Sequence, residues 1–261
     1  MSIHPTAIIS KSANIDSDVT ICPYVIIGNE CRIDKGCIIH PHAVIGDFTF
    51  IGKNCQIFTG AIVGSISQDL KFQGKESFLE IGNNNIIREY ATINRSTSEG
   101  KYTKIGDNNL IMAYAHIAHD CQIGNNTIIS NLATLAGHVI IEDNAIVGGL
   151  SGIHQFVRVG RLSMIGGLSK ITQDVPPFML VEGNPTVVYG LNKIGLDRNN
   201  FTLETKRILK QAYKIIYRSK FNLSRAIIEL TKLPQIDELV YLINFLKNTK
   251  RGICGLNKHF R

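Results

Sequence analysis

VIIGNECRIDKGCIIHPHAVIG, residues 25–46, places isoleucine at 27, 33, 39 and 45, one at every sixth position. Ile or Val keeps this phase without a miss from Ile3 to Val63. It resumes at Ile81, Ile87 and Ile93, and again from Ile105 through Leu135 and Val147 to Ile171. Register is lost twice, over residues 64–80 and 94–104. A period of six is a multiple of two but not of 3.6, so these side chains share one face of extended chain and would spiral around a helix. The pattern predicts a succession of short strands.

Glycine recurs just after the aliphatic residue, at 28, 46, 52, 82, 106, 124, 148 and 166. A small residue recurs four after it, as Ala7, Ala13, Ala43, Ala61, Ala91, Ala115, Ala133 and Ala145. Both suit tight corners between strands, where a larger side chain would crowd the turn. Over residues 3–175 the repeat resembles that of the hexapeptide-repeat family. The resemblance implies a mainly β fold, a left-handed parallel β-helix with three hexads per coil. Its left-handed sense comes from the family, because period alone does not fix a hand and the usual crossover is right-handed.

The six cysteines, at 22, 31, 37, 55, 121 and 254, form no CxxC pair, which indicates neither a zinc ribbon nor a disulfide framework. Cys31, Cys37, Cys55 and Cys121 fall on the small position of the hexad and read as reduced packing residues. Cys121 is thus a poor nucleophile despite its histidine neighbours. The start, MSIHPTAIIS, lacks the charged and apolar regions of a leader, and no stretch approaches the ~18 apolar residues of a membrane span. A cytoplasmic protein without integral membrane association is expected.

Beyond DVPPFMLVEGNP (174–185) the hexads stop and prolines mark an irregular linker. FTLETKRILKQAYKIIYRSK (201–220) then puts Ile208, Leu209, Ala212, Ile215 and Ile216 on one helical face with Lys and Arg opposite. A second helix would start at Asn222 or Ser224, and a third follows Pro234 in IDELVYLINFL (236–246). Two domains are expected, a β-helix over 1–187 and a helical domain over 188–261. Of the net charge of +7, residues 188–261 carry +10 and residues 1–187 carry −3. A basic face of this kind attracts nucleic acid, anionic membrane or an acidic protein, and no nucleic-acid recognition motif accompanies it.

If a coil is three hexads, side chains that far apart in sequence stack at the strand spacing of about 4.8 Å. Gly137 then lies beside His119, Gln155 one coil further, and His138 beside Asp120, so AHIAHD (115–120), LAGH (135–138) and IHQF (153–156) converge on one edge. His116, His119 and His138 would make three zinc ligands. An aspartate beside His119 and a glycine stacked on it suit acid–base chemistry instead: a neutral imidazole as general base, a carboxylate fixing its tautomer, a glycine N–H approachable as an oxyanion donor. That is equipment for direct acyl transfer from a thioester to an alcohol.

Several blocks carry a closer resemblance: GSISQDLKFQG (64–74), NLIMAYAHIAHDCQIG (109–124), NLATLAGHV (131–139), GIHQFVRVG (152–160), QDVPPFMLVEGNP (173–185) and GLNKIGL (190–196). Together they resemble the UDP-N-acetylglucosamine O-acyltransferases of lipid A biosynthesis, over essentially the whole chain. The resemblance implies transfer of a 3-hydroxyacyl group from acyl carrier protein to the sugar 3-hydroxyl, with His119 as base, Asp120 supporting it and the Gly137 N–H on the oxyanion. It implies Asp69, Lys71, His116, His138, Gln155, Asn192 and Arg198 as substrate contacts and Gly167 as the position limiting acyl length. His154, beside Gln155, reads as structural. No cofactor or metal is implied beyond the phosphopantetheine that carries the donor. The implied partners are acyl carrier protein, whose acidity suits Lys206, Arg207, Lys210, Lys214 and Arg218, and two further copies in a homotrimer. Asn199, Pro185 and Ile194 depart from the family pattern, where some members have arginine, histidine and an acidic residue. A UDP-sugar N-acyltransferase of the same fold, a zinc-dependent β-helix enzyme and a non-enzymatic scaffold are the rival readings.

Overall fold

The computed structural model describes residues 2–255. Nearly every hexad forms a short strand, and the strands align in three parallel sheets of 11, 9 and 8 members, the first closing on one antiparallel strand. Partners such as Ile26 and Val44, His116 and Thr134, or Ile140 and Arg158 lie three hexads apart, so each coil gives one strand to each sheet. The result is a left-handed parallel β-helix, a triangular prism. The aliphatic column points into it, and Ile21 through Ile171 are nearly all inaccessible. Hexad register is kept by this column, because a slip of one residue would turn every inward side chain outward.

The corners refine the sequence reading. Positive φ falls on the third residue after the inward one, and that residue is seldom glycine: Tyr24, Glu30, His42, Asp120, His138 and Phe156 all lie between 51° and 65°. Each such non-glycine residue costs about 1–2 kcal/mol of local strain, offset by the stacking of neighbouring coils. The recurrent glycines answer a different need. A Cβ on Gly46 would lie 2.3 Å from the Gly64 carbonyl oxygen, and one on Gly106 would lie 2.6 Å from that of Gly124. They let the next coil approach.

The small position is occupied mostly by buried alanines and valines, and elsewhere by residues such as cysteine and asparagine whose side chain donates to a carbonyl of the next coil. Cys31 Sγ donates to Gly46 at 3.0 Å, Cys37 to Gly52 at 3.0 Å and Cys121 to Ala136 at 3.2 Å, while Asn85 and Asn109 do the same through their amides. All six cysteines are free thiols.

The two breaks in the repeat are loops inserted without loss of stacking. Ile62 pairs with Thr92, and Thr92 with His116, so one coil is lengthened to the span of five hexads and the next to four before the three-hexad interval returns. At the far end the strand Met179–Glu182 continues the first sheet and pairs antiparallel with Val187–Leu191. That strand crosses the expected 187/188 boundary. Hydrogen bonding carries the sheet past it, and the helical part begins at Lys193.

Among the described residues four helices follow: α1 (Lys193–Arg198), α2 (Leu203–Tyr217), α3 (Leu223–Leu230) and α4 (Asp237–Lys247). The sequence reading misses α1, a six-residue helix capped by the Asn192 side chain. In α2 the buried face is Ile208, Leu209, Ala212, Tyr213 and Ile216, with Ile215 only partly covered. Asn222, not Ser224, caps α3. The helices are latched to the prism: Thr249 Oγ1 donates to Asp174 Oδ2 at 2.6 Å, Cys254 N to Asp174 O at 2.9 Å, and the Tyr241 hydroxyl to the Glu142 carboxylate held by Arg158. Among the described residues no helix is long and apolar enough to cross a membrane.

Gly46→Ala sets a methyl against backbone, not against a movable side chain, at a residue whose φ is not positive. It is expected to destabilise by about 1–3 kcal/mol, as overpacking does, and to lower the denaturant midpoint without changing the slope.

Candidate active site

The prism brings Asp69, Lys71, Asn94, His116, His119, Gly137 and Gln155 to one cleft of about 450 Å³. His116, on the strand His116–Ile117, projects from one face; His119, Gly137 and Gln155 follow one another down a corner, one per coil. The first inserted loop folds over them. Its Asp69 Oδ1 accepts from the Lys71 N–H at 2.9 Å, and its Oδ2 lies 3.9 Å from His119 Nε2.

His119 is 8% exposed. Its Nδ1 lies 2.8 Å from Asp120 Oδ2, which leaves Nε2 toward the cleft. Gly137 stacks on the ring so closely that a Cβ there would fall 2.4 Å from Cε1. Only glycine fits beneath the imidazole. The Gly137 N–H, although buried, finds no acceptor among the described residues, so it is a donor free for a ligand.

Asp120 is the most heavily bonded side chain of the site. Its Oδ1 accepts from Ser96 Oγ, and its Oδ2 from Thr97 Oγ1 at 2.6 Å and the Thr97 N–H at 3.2 Å. Burial pushes this carboxyl up, but the bonds from Ser96, Thr97 and His119 outweigh burial and hold it below the usual carboxylate range. His138 Nε2 is 3.7 Å from Asp120 Oδ2, its ring edge-on to His119 and stacked on Phe156 at 4.7 Å. His116 Nδ1 is 2.7 Å from Thr92 Oγ1; burial, then the proximity of His119, lowers its pKa and favours the neutral ring. His154 is exposed, and among the described residues its ring bonds only the neighbouring Gln155 carbonyl.

Not every expected residue arrives here. Asn192 and Arg198 line a separate pocket of about 690 Å³, with Ile128, Ile146, Met164 and Tyr189, on another face of the prism. Asn192 is moreover committed to structure, its oxygen capping α1 through the Gly195 N–H and its amide donating to Leu162 O at 3.0 Å. Gly167 is exposed at a third corner, stacked on Gly149. Conversely, sequence reading misses Ser96 and Thr97, although the broken hexad at 94–104 marks their position.

His119, Asp120 and His138 each offer a donor atom within 4.8 Å of the others, close enough together for a metal. The sequence reading groups His116 in place of Asp120. Asp120 already accepts from Ser96, Thr97 and His119, and a cation would have to displace those bonds. The donors are arranged as a hydrogen-bonded acid–base pair. The Cys121 thiol points inward, and burial pushes it up to about 12, out of reach as a nucleophile.

A hexad prism with a buried histidine–aspartate pair on its edge defines a hexapeptide-repeat transferase. A family model described as bacterial transferase hexapeptide matches residues 102–137, and one described as UDP-N-acetylglucosamine O-acyltransferase, domain 2, matches residues 174–254. The acyl-(acyl-carrier-protein)–UDP-N-acetylglucosamine O-acyltransferase of Thermodesulfovibrio yellowstonii is 52% identical over 254 residues, covering 97% of this chain and 98% of that one. That of a Sulfurihydrogenibium species is 55% identical over 256 residues, covering 97% and 94%. The crystal structure of the Moraxella catarrhalis UDP-N-acetylglucosamine O-acyltransferase superposes with a TM-score of 0.94 at 41% identity, over 97% of this chain and all of that one. The Campylobacter jejuni UDP-N-acetylglucosamine acyltransferase does so with 0.92 at 41%, over 98% and 100%. The chain belongs to the acyl-(acyl-carrier-protein)–UDP-N-acetylglucosamine O-acyltransferase family and is an acyltransferase.

Cys121→Ala is expected to keep activity within about twofold and to lose about 1 kcal/mol of stability with the bond to the Ala136 carbonyl; a large loss of turnover in folded protein would restore the thiol to the reaction. The depressed Asp120 carboxyl has a pH signature. Its stabilisation is complete above the unfolded value near pH 4 and is lost as pH falls through the lower native value. The stability difference between wild type and Asp120→Asn should therefore be level from neutral pH to about 4 and shrink below it, in urea titrations across that range.

Proposed function

We propose that the chain transfers an (R)-3-hydroxyacyl group from acyl carrier protein to the 3-hydroxyl of UDP-N-acetylglucosamine, the opening step of lipid A synthesis, with His119 as general base. The observation carrying this reading is the His119 imidazole, buried, held by Asp120 through Nδ1 and facing the Asp69 cleft through Nε2. In the proposed reaction Nε2 takes the proton of the sugar hydroxyl as its oxygen attacks the thioester carbonyl. The tetrahedral oxyanion accepts from the Gly137 N–H. Collapse breaks the C–S bond, and the pantetheine thiolate leaves with the proton from the imidazolium. The ester and the free thiol are the products, and no redox partner or metal enters the balance.

Asp69, Lys71, His116, His138 and Gln155 surround the acceptor in this reading. Arg198 belongs to another corner, and a homotrimer with sites between subunits would bring it to a neighbour's cleft. Arg207, Lys210, Lys214 and Arg218 lie along α2 and its C-cap, where they would steer the acidic carrier protein; Lys206 is partly neutralised by Asp197 at 2.5 Å. Such chemistry, with soluble substrates, suits the cytoplasm. A bulky residue at Gly167 would project outward from its corner and shorten the acyl group accepted.

Mass spectrometry of UDP-N-acetylglucosamine incubated with purified protein and a panel of 3-hydroxyacyl carrier-protein thioesters tests the reading. An O-acylated product is expected, reduced at least about 10²-fold in folded His119→Ala, with Gly167→Met favouring shorter donors. No product from folded protein with any donor would overturn it.

A further inference from the structure

The second interruption of the hexads has a use that the reaction as described leaves unassigned. A regular coil would reach from Thr92 to its stacking partner in three hexads; this one needs the span of four to reach His116, and the added chain passes out over the Asp120 corner and back. Ser96 Oγ meets Asp120 Oδ1, while Thr97 meets Oδ2 with both its hydroxyl, at 2.6 Å, and its N–H, at 3.2 Å. From beneath, Thr103 Oγ1 accepts the Asp120 N–H at 2.8 Å. We infer that Ser96 and Thr97 are positioning residues, which act through Asp120 to fix the orientation and protonation pattern of the His119 imidazole. The inference rests on the proposed role of His119.

Two observations separate this role from loop closure. Ser96 Oγ also accepts the Ser98 N–H at 3.1 Å within the loop, but among the described residues Thr97 makes no loop bond, and the loop is tied to its surroundings by Ser77 Oγ to the Ser96 carbonyl at 2.5 Å, Gly100 N to Glu76 O at 3.0 Å, and Lys101 N to Ser98 O at 3.0 Å. Removing the Thr97 hydroxyl leaves all of these in place. The second is charge. The Asp120 side chain is 10% exposed, and among the described residues its ion-pairing neighbours are only His119 and His138, with no Lys or Arg. Asp69 approaches His119 from the opposite side and adds a second carboxylate to the pair. Hydroxyl and amide donors therefore carry much of the compensation for the buried negative charge.

A carboxylate stripped of those donors becomes more basic and pulls harder on the Nδ1 proton. A more basic Asp120 would favour the charged His119 ring over the neutral ring that the reaction needs. Oδ2 would also be free to turn toward His138 Nε2, which already lies 3.7 Å away. Both changes subtract from the neutral, correctly aimed base that abstracts the hydroxyl proton, without touching either substrate.

The test compares full-length Thr97→Val, Ser96→Ala, the double variant and the conservative Thr97→Ser. Steady-state kinetics with UDP-N-acetylglucosamine and a 3-hydroxyacyl carrier-protein thioester are read beside the low-field proton resonance of His119 Nδ1–H. Thr97→Val is expected to lower kcat by about 10- to 100-fold with KM within about threefold. The acid limb of its kcat/KM profile should move to higher pH, the Nδ1 resonance should shift, and Thr97→Ser should recover most of the rate. Wild-type kinetics, pH profile and resonance in the folded double variant would overturn the inference. So would a loss that appears in thermal stability alone, or one that Thr97→Ser leaves uncorrected. If wild type transfers no acyl group, the proposed reaction fails; the resonance still decides whether Ser96 and Thr97 orient the pair.

Discussion

Everything in this molecule hangs on the hydrogen bonds between one coil and the next. Each short strand is far too brief to persist alone, and gains its stability only because its N–H and C=O groups meet those of the strands above and below. The bonds are backbone bonds and indifferent to side-chain identity, so the register they enforce must be selected by something else. The inward aliphatic column selects it. That leaves outward positions free to differ from coil to coil, and one corner can carry His119, Gly137 and Gln155 while another carries a ladder of asparagines.

The same stacking explains how the site is assembled from so little. Glycine at 137 is needed because the neighbouring coil brings the His119 ring to within 2.4 Å of where its Cβ would stand. The free N–H and the buried imidazole are two consequences of one coil spacing. Asp120 and His138 occupy the left-handed corner position, with φ of 60° and 59°, which throws both side chains outward beside the imidazole. Corner geometry that elsewhere holds Tyr24 or Phe156 here aims chemistry. The inserted loops then supply what a regular prism lacks, Asp69 from the first and the Asp120 hydroxyl partners from the second.

The cysteines show why local context misleads at such a site. Cys121 follows directly on a histidine and an aspartate, a neighbourhood that in many enzymes would activate a thiol. Here the small position points inward. Its sulfur donates to a carbonyl of the next coil, and burial removes the thiolate from the reaction. Position in the repeat decided its role.

By itself the sequence determined the hexad strands, the inward column and the packing role of the cysteines, and, with the three hexads per coil that the family resemblance implies, the convergence of His119, Gly137 and Gln155, because a strict period converts sequence distance into spatial distance. It determined the amphipathic face of α2 for the same reason, missing only the exchange of Ile215 for Tyr213. Tertiary structure alone decided what has no period. The short helix α1 depends on the Asn192 cap and on Leu162, far earlier in the chain, to which that cap is bonded. The strand Val187–Leu191 depends on a partner strand, so composition places the boundary at 187/188, inside a strand that only the pairing reveals. Ser96 and Thr97 reach Asp120 from a loop that leaves the repeat and returns to it, and no spacing rule relates 97 to 120. Arg198 lies apart from His119 because they belong to different faces of the prism, a fact of three-dimensional path that the linear order of motifs does not contain.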